Sequence, residues 1–352
     1  MKEPSVSVIW VNYNSMGFID LVLSSLAAIR NLNYENYDLI IVDNASTDGS
    51  FQVVKSFVSR WVKPKVRIVR MDANRGYIGA CNAGYAHARN SDYVVVMNND
   101  LIPFPDSLKG LIEYLTSEEK VGGAQGIILD YNTKTVDSAG FVIDELLRPH
   151  PLFRFKDPNS IKKSYPITYS YGAYSIYSVR SLKLIGRSSY LYNPGLFAYF
   201  DDNVLGLRFW MNGFKVKLFP VKAGLHYRGK TFGRKSLMRT YLELRNYLIT
   251  VFMSNSRWKY YAILYSFARY NLYNPFNRLS GFIQKRALIQ AYRISRLLMR
   301  KEGPLDVYRV PLIKLSPQEL IPLVFLPARV TRFKADYIIM SLQKSYRNVL
   351  RG

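Results

Sequence analysis

The sequence predicts an α/β fold, a Rossmann-like series of parallel β-α-β units followed by a basic helical region, and three observations predict it. Apolar runs alternate with helical patterns through residues 1–120. Charge is unevenly spread: residues 1–150 carry 14 basic and 17 acidic side chains, residues 151–352 carry 35 and 8, and the net charge is +24. Residues 255–352 are rich in Arg, Tyr and Leu at helical spacing.

Val6–Val11, Tyr37–Val42, Val66–Met71 and Tyr93–Met97 read as buried strands, being short runs rich in Val and Ile. Phe18–Arg30, Ser50–Trp61 and Gly79–Arg89 read as the helices between them, and Asp106–Ser117 follows with Asp106 as its expected N-cap. That order makes a right-handed β-α-β series. Residues 121–254 mix short strands, Ala173–Val179 and Phe214–Pro220, with a helix near Asn203–Asn212. Pro149, Pro151, Pro158 and Pro166 mark a long loop before Tyr169, either a lid or a plain insertion. In Ile283–Arg300, Arg286, Gln290, Arg293 and Arg300 share one helix face and Ala287, Leu288, Ala291, Ile294 and Leu298 the other. Ile289 and Leu297 interrupt the basic face.

With 352 residues, 49% of them hydrophobic, the chain can bury one or two cores, which excludes disorder as its main state. Cys81 is the sole cysteine, so no internal disulfide forms, and three histidines do not make a Cys/His zinc site; a reducing, cytoplasmic compartment is expected. The N-terminal residues show no charged leader followed by an apolar core, and no apolar run reaches the roughly 18 residues that span a bilayer, so any membrane association is expected to be interfacial. Neither GxGxxG nor GxxxxGK[ST] follows any strand, which argues against a dehydrogenase or a P-loop NTPase.

In parallel sheets ligands bind beyond the carboxyl ends of the strands. The clusters there are Asn12-Tyr13-Asn14, Asp43 through Asp48, Asp72 through Gly76, and Asn98-Asn99-Asp100. In order and spacing, Val6–Asn14, Ile41–Ser50, Asn74–Gly84 and Met97–Asp100 resemble the successive motifs of family 2 glycosyltransferases of the GT-A fold, rhamnosyltransferase-like and inverting. The resemblance covers about the first 250 residues. It implies transfer of a sugar from a UDP-, dTDP- or GDP-linked donor to an acceptor hydroxyl, with a nucleotide-sugar half at 1–120, an acceptor half at 121–254 and the basic helical region at 255–352.

On that resemblance Asp43 reads the nucleotide base; a cap on the turn through Ser46, Asp48 and Gly49 is the other reading, and both can hold. Asn12 and Asn14 join it on the donor side. Asn74, Arg75 and Gly76 offer a cation and a flexible backbone for a diphosphate, with a plain surface arginine as the alternative. Asn98-Asn99-Asp100 stands at the family's DxD element but keeps one acid; Asp100 with diphosphate oxygens and waters suits Mg²⁺ or Mn²⁺. His226 through Thr231 resembles the late HxxGx[ST] element, where the histidine completes the metal site and favours Mn²⁺; a structural histidine is the other reading. Arg228, Thr231 and Arg245 are expected at a phosphate or the acceptor. Phe200 through Arg208 resembles E-D-x-D-L-x-x-R, which implies Asp202 as general base with Asp201 orienting it or contacting the acceptor. Paired acids at a helix N-terminus are also explained by the helix dipole, and Val204 replaces the family's later acid.

From Arg208 to Arg245 there are ten basic residues and one acid, Glu243. Nucleic-acid binding competes as an explanation, but no recognition module is found. Aromatic residues interleave the charge, as in Trp258-Lys259-Tyr260-Tyr261, and each basic residue near an anionic leaflet is worth about 1 kcal/mol. The expectation is a monotopic enzyme on the inner face of the cell membrane with a lipid-linked or cell-surface glycan as acceptor. A soluble helical appendage or a contact between identical subunits is the alternative for the tail. A catalytically inactive sugar-nucleotide-binding relative is a further alternative, against which Asp43, Asp100, Asp202 and His226 speak.

Overall fold

A computed structural model describes residues 3–228, 237–272 and 281–320. In chain order the elements are β1 (Val6–Asn12), α1 (Ile19–Arg30), β2 (Tyr37–Asp43), α2 (Ser50–Val58), β3 (Lys65–Arg70), α3 (Gly76–Ala88), β4 (Tyr93–Asn98), β5 (Leu101–Pro103), α4 (Ser107–Ser117), β6 (Val121–Asp130), β7 (Val136–Ser138), β8 (Phe141–Asp144), β9 (Pro149–Pro151), β10 (Tyr165–Pro166), β11 (Tyr174–Ser178), α5 (Val179–Leu184), α6 (Asp201–Met211), β12 (Lys215–His226), α7 (Leu237–Met253), α8 (Lys259–Leu272), α9 (Gly281–Glu302) and β13 (Leu312–Ile313). By compactness the chain divides into residues 1–140 with 154–234, and residues 141–153 with 235–352. This is a different division from the one by role expected at 120/121 and 254/255.

The first unit carries a mixed sheet of order β10-β12-β6-β11-β4-β1-β2-β3, with β5 pairing β12 and β7 pairing β6. Strands β4, β1, β2 and β3 are parallel, as the β-α-β series requires, and β11 runs antiparallel to both β4 and β6. The four expected strands are present with ends moved by one residue. Their Val and Ile side chains are buried on both faces at β1 and β4, where each full burial contributes about 1.5–3 kcal/mol. Trp10 is fully buried and satisfies its indole N–H on Ser25 Oγ at 3.1 Å.

Several expectations are corrected. Asp106 occupies the N-cap position of α4 but makes no cap bond, because its Oδ1 accepts from Asn33 Nδ2 at 2.8 Å. Helix α3 starts at Gly76 instead of Gly79, and β12 continues past Pro220 to His226. The proline-marked loop contains β9, β10 and a short turn of helix at Pro158–Ser160. Strand β6 was not expected, since Gly122, Gly123 and Gly126 lower its strand propensity. The glycines are there for space: a Cβ on Gly122 would lie 2.4 Å from the Phe209 ring and one on Gly126 2.5 Å from Val221 O.

The second unit has a small sheet, β13-β8-β9, and α7 packed against α8 and α9. Asp144 is fully buried and accepts from Arg148 Nε at 2.6 Å and faces His150 Nε2 at 2.9 Å. The Arg148 charge holds its carboxyl below the usual range against the opposing effect of burial. Among the described residues no helix is long and apolar enough to cross a membrane.

Candidate active site

Register in the first unit brings the strand ends to one edge. Asn12 lies opposite Asp43 and Val11 opposite Asn98. Antiparallel β11 begins at the same edge, where Ala173 O accepts from Asn98 N at 3.0 Å. Asn12, Asp43, Asn98 and the Tyr171–Ala173 segment thus share the carboxyl rim on which such sheets bind ligands.

On the donor side Asp43 is fully buried and accepts from Asn12 Nδ2 at 2.9 Å, Ser46 N at 3.0 Å and Ser46 Oγ at 2.6 Å. Its carboxylate therefore anchors the turn. Asn14, at φ 43°, ties the two loops together: its Oδ1 accepts from Thr47 N at 2.8 Å and its N donates to Ser46 Oγ at 3.1 Å. Asn74 Oδ1 accepts from Asn44 Nδ2 and from Gly76 N, both at 2.9 Å. Gly76 has φ +74°, and a Cβ there would sit 2.3 Å from Phe197 O, so the position excludes other residues. Arg75 turns outward to Asp72 at 3.1 Å with 61% of its side chain exposed. That guanidinium holds the Asp72 carboxyl below its ordinary value.

Asp100 and His226 meet at the rim. Pairing of β12 with β5 sets His226 opposite Leu101, and His226 Nε2 lies 3.3 Å from Asp100 Oδ1 with both side chains buried. The other ring nitrogen, Nδ1, faces Asp137 Oδ2 at 3.0 Å. Asp137 also forms an ion pair with Arg228 Nε and accepts from Arg228 Nη2 through its backbone O at 3.1 Å. Burial pulls the His226 pKa down, and the bonds to Asp100 and Asp137 outweigh it, raising it to about 8. These residues fit a divalent cation. With Nδ1 on the Asp137 carboxylate and Nε2 3.3 Å from Asp100, the ring has the carboxylate support usual behind a metal-bound histidine, and a cation would displace the proton shared with Asp100. Among the described residues no group of three or more His, Cys, Asp and Glu side chains is arranged to hold a metal, so further ligands would come from a bound molecule's oxygens. Asn98 Oδ1 and Asn99 Nδ2 are buried without a partner next to Asp100, atoms that a polar ligand would satisfy.

Asp201 and Asp202 open α6 after a segment in which Phe197, Tyr199 and Phe200 all have left-handed backbones, at φ 68°, 69° and 65°. Such strain collects at functional sites. Asp202 Oδ2 accepts from Gly172 N at 3.2 Å and Oδ1 from its neighbour Asn203 N at 2.8 Å. Burial and the adjacent Asp202 push the Asp201 carboxyl well above the carboxylate range. Burial raises Asp202 to about 6, checked by the bonds from Gly172 and Asn203. The pair is split: one acid keeps its proton near neutrality while the other can ionise. Segment Tyr171–Gly172 joins the two centres. The Tyr171 ring stands edge-on to His226 at 5.7 Å, and Tyr77 Oη donates to Gly172 O at 2.9 Å.

The rim thus unites Asn12, Asn14, Asp43, Asn98, Asn99, Asp100, Asp201, Asp202, His226 and Arg228, with Asn74 and Gly76 tied in through Asn44. Thr231 and Gly229 lie outside the described residues. Arg245 is in the second unit on α7, where its Nε donates to Asn246 Oδ1 at 3.0 Å and its guanidinium lies 6.0 Å from the Tyr241 ring. Sequence reasoning missed Asp137, Tyr171 and Gly172, none of which belongs to a motif, and gave no role to Tyr77, which lies inside the Asn74–Gly84 motif.

A family profile described as Glycosyl transferase family 2 matches residues 7–186. No curated protein sequence matches the chain significantly. Among solved structures, GalNAc-T7 with UDP, GalNAc and Mn²⁺ is similar at TM-score 0.62 and 14% identity, over 86% of this chain and 59% of that one. The mannosyltransferase PcManGT from Pyrobaculum calidifontis, with GDP-Man and Mn²⁺, is similar at TM-score 0.53 and 18% identity, over 96% and 86%. TarS residues 1–349 from S. aureus, with UDP-GlcNAc, is similar at TM-score 0.53 and 18% identity, over 98% and 92%. The chain spans 59% of the GalNAc-T7 chain and 45% of a longer TarS chain. At these identities the likeness speaks for the fold alone.

Proposed function

The chain belongs to glycosyl transferase family 2 and has the GT-A fold, and from that premise we propose that it moves a sugar from a nucleotide-diphosphate donor to an acceptor hydroxyl with inversion, Asp202 acting as base. The donor is UDP-, dTDP- or GDP-linked. The UDP, UDP-GlcNAc and GDP-Man bound to GalNAc-T7, TarS and PcManGT support that class. Residues 1–120 serve the donor and 121–254 the acceptor, a glycan or a lipid-linked saccharide.

The nucleoside lies toward Asn12, Asn14 and Asp43, and the diphosphate toward Asn98, Asn99, Asp100 and His226. Asp100 and His226 would hold Mn²⁺ or Mg²⁺, which when bound neutralises charge on the departing diphosphate. Asp202 takes the acceptor hydroxyl's proton as the new C1–O bond forms, while the C1–O bond to the diphosphate breaks on the opposite face of the sugar. Asp201, neutral beside it, leaves Asp202 as the ionised member of the pair. Arg228 contacts phosphate or acceptor, the role that the family resemblance also implies for Thr231 and Arg245.

The observation that supports this best is the Tyr171–Gly172 segment, whose adjacent residues touch His226 and Asp202 respectively. A panel of nucleotide sugars offered with Mn²⁺ and a mixed acceptor extract, read as nucleoside diphosphate release, tests it. One donor class should turn over. Donor binding without turnover would instead indicate an inactive relative, and salt-sensitive binding to duplex DNA without turnover a nucleic-acid binder.

A further inference from the structure

Helix α9 presents a face that sugar transfer does not use. Its buried side is made by Gln284, Ala287, Ala291, Ser295 and Leu298. On the outward side Phe282, Ile289, Tyr292 and Leu297 are 73, 42, 52 and 63% exposed. Lys285, Arg286, Arg293, Arg296 and Arg300 are exposed with them, and the helix's single acid, Glu302, is its last residue. A helix that merely covered a soluble core would carry polar residues at 282, 289 and 297, because large apolar side chains left in water forgo the gain of burial. The residues that interrupt the basic face are the apolar part of a mixed face. Cations flanking apolar side chains on one helix surface suit a lipid interface, where guanidinium groups reach head-group phosphates and the apolar groups enter the acyl boundary.

We propose that α9 docks the chain on an anionic lipid leaflet, with its arginines on the phosphates and Phe282, Ile289 and Leu297 in the acyl boundary. A nucleic acid would match the charge but offers the three apolar side chains nothing to enter. A second copy of the chain would oppose five cations to five more. The anionic leaflet facing the cytoplasm is the natural surface for such a face, so the chain attaches peripherally at the inner side of the cell membrane. Delivery to a lipid-linked acceptor rests on the proposed sugar transfer, whereas the docking does not.

The full-length chain is sedimented with phosphatidylcholine vesicles with and without phosphatidylglycerol. Binding is expected on the anionic vesicles and should weaken with salt. Replacing Arg286, Arg293 and Arg300 by Gln should weaken partitioning on the order of 100-fold, about fivefold per cation. Changing Ile289→Ser and Leu297→Ser, with every charge kept, should weaken it by roughly tenfold or more. A circular-dichroism spectrum and melting point equal to the parent's establish that the variants fold, and Leu297→Ser alone replaces the pair if they do not. Absence of binding to anionic vesicles overturns the proposal. So does binding that the serine variants leave unchanged, or a preference for duplex RNA over vesicles.

Discussion

Changing Asp137→Asn removes a charge but almost no volume. The lost carboxylate sits 3.0 Å from His226 Nδ1 in a buried setting, and hydrogen bonds to charged groups contribute about 1.5–3 kcal/mol net. Asparagine can keep Nδ1–H as donor only with its amide oxygen turned inward, and it removes the carboxylate of the Arg228 ion pair. Supporting carboxylates of this kind typically govern metal affinity by about 10- to 100-fold. Mn²⁺ binding in the presence of UDP, followed by electron paramagnetic resonance titration, should therefore weaken by that factor. Asp100→Ala, which removes a proposed ligand, sets the upper end of the scale. Mn²⁺ affinity equal to the parent's in Asp137→Asn, with Asp100→Ala deficient, would refute the orienting role.

The Asp202 value of about 6 predicts that kcat/KM falls about tenfold per pH unit below that point and levels above it, since the base must be ionised; a profile flat from about pH 5 to 8 would contradict this. Asp201 has its carboxyl raised by folding, so the unfolded chain loses its proton first and the parent loses stability as pH climbs out of the carboxylate range. Asp201→Asn should consequently melt with the parent in acid and above it at neutral pH; calorimetry showing one offset at both would count against this. Gly76→Ala places a Cβ 2.3 Å from Phe197 O at φ +74°, where left-handed backbone alone costs about 1–2 kcal/mol, so a melting point lower by several degrees is expected in thermal scans.

The parallel half was legible because its strands are uninterrupted Val and Ile runs ended by polar clusters, and because those clusters recur in a known order. That Asp100 and His226 lie together was legible in the same way. Asp137 was not: it sits in a three-residue strand, Val136-Asp137-Ser138, and reaches His226 only because β7 pairs with β6 through a register shift. Tyr171 and Gly172 escaped for a similar reason, since a backbone N–H aimed at Asp202 leaves no mark in a sequence. Strand β6 was hidden by glycines chosen for the Phe209 ring and the Val221 backbone. Asp43 shows the reverse limit, its motif being visible while the two hydrogen bonds that tie it to the turn at Ser46 and the third from Asn12 were not. On α9, Ile289 and Leu297 looked like flaws in an amphipathic pattern, and only their exposure alongside Phe282 and Tyr292 shows a continuous mixed face.

Asp202 as base on this rim is tested most directly by Asp202→Asn under saturating donor and Mn²⁺. Donor affinity should match the parent's, while the transfer rate falls by about 10²- to 10⁴-fold, the usual worth of a general base. Transfer at the parent's rate by Asp202→Asn would contradict it.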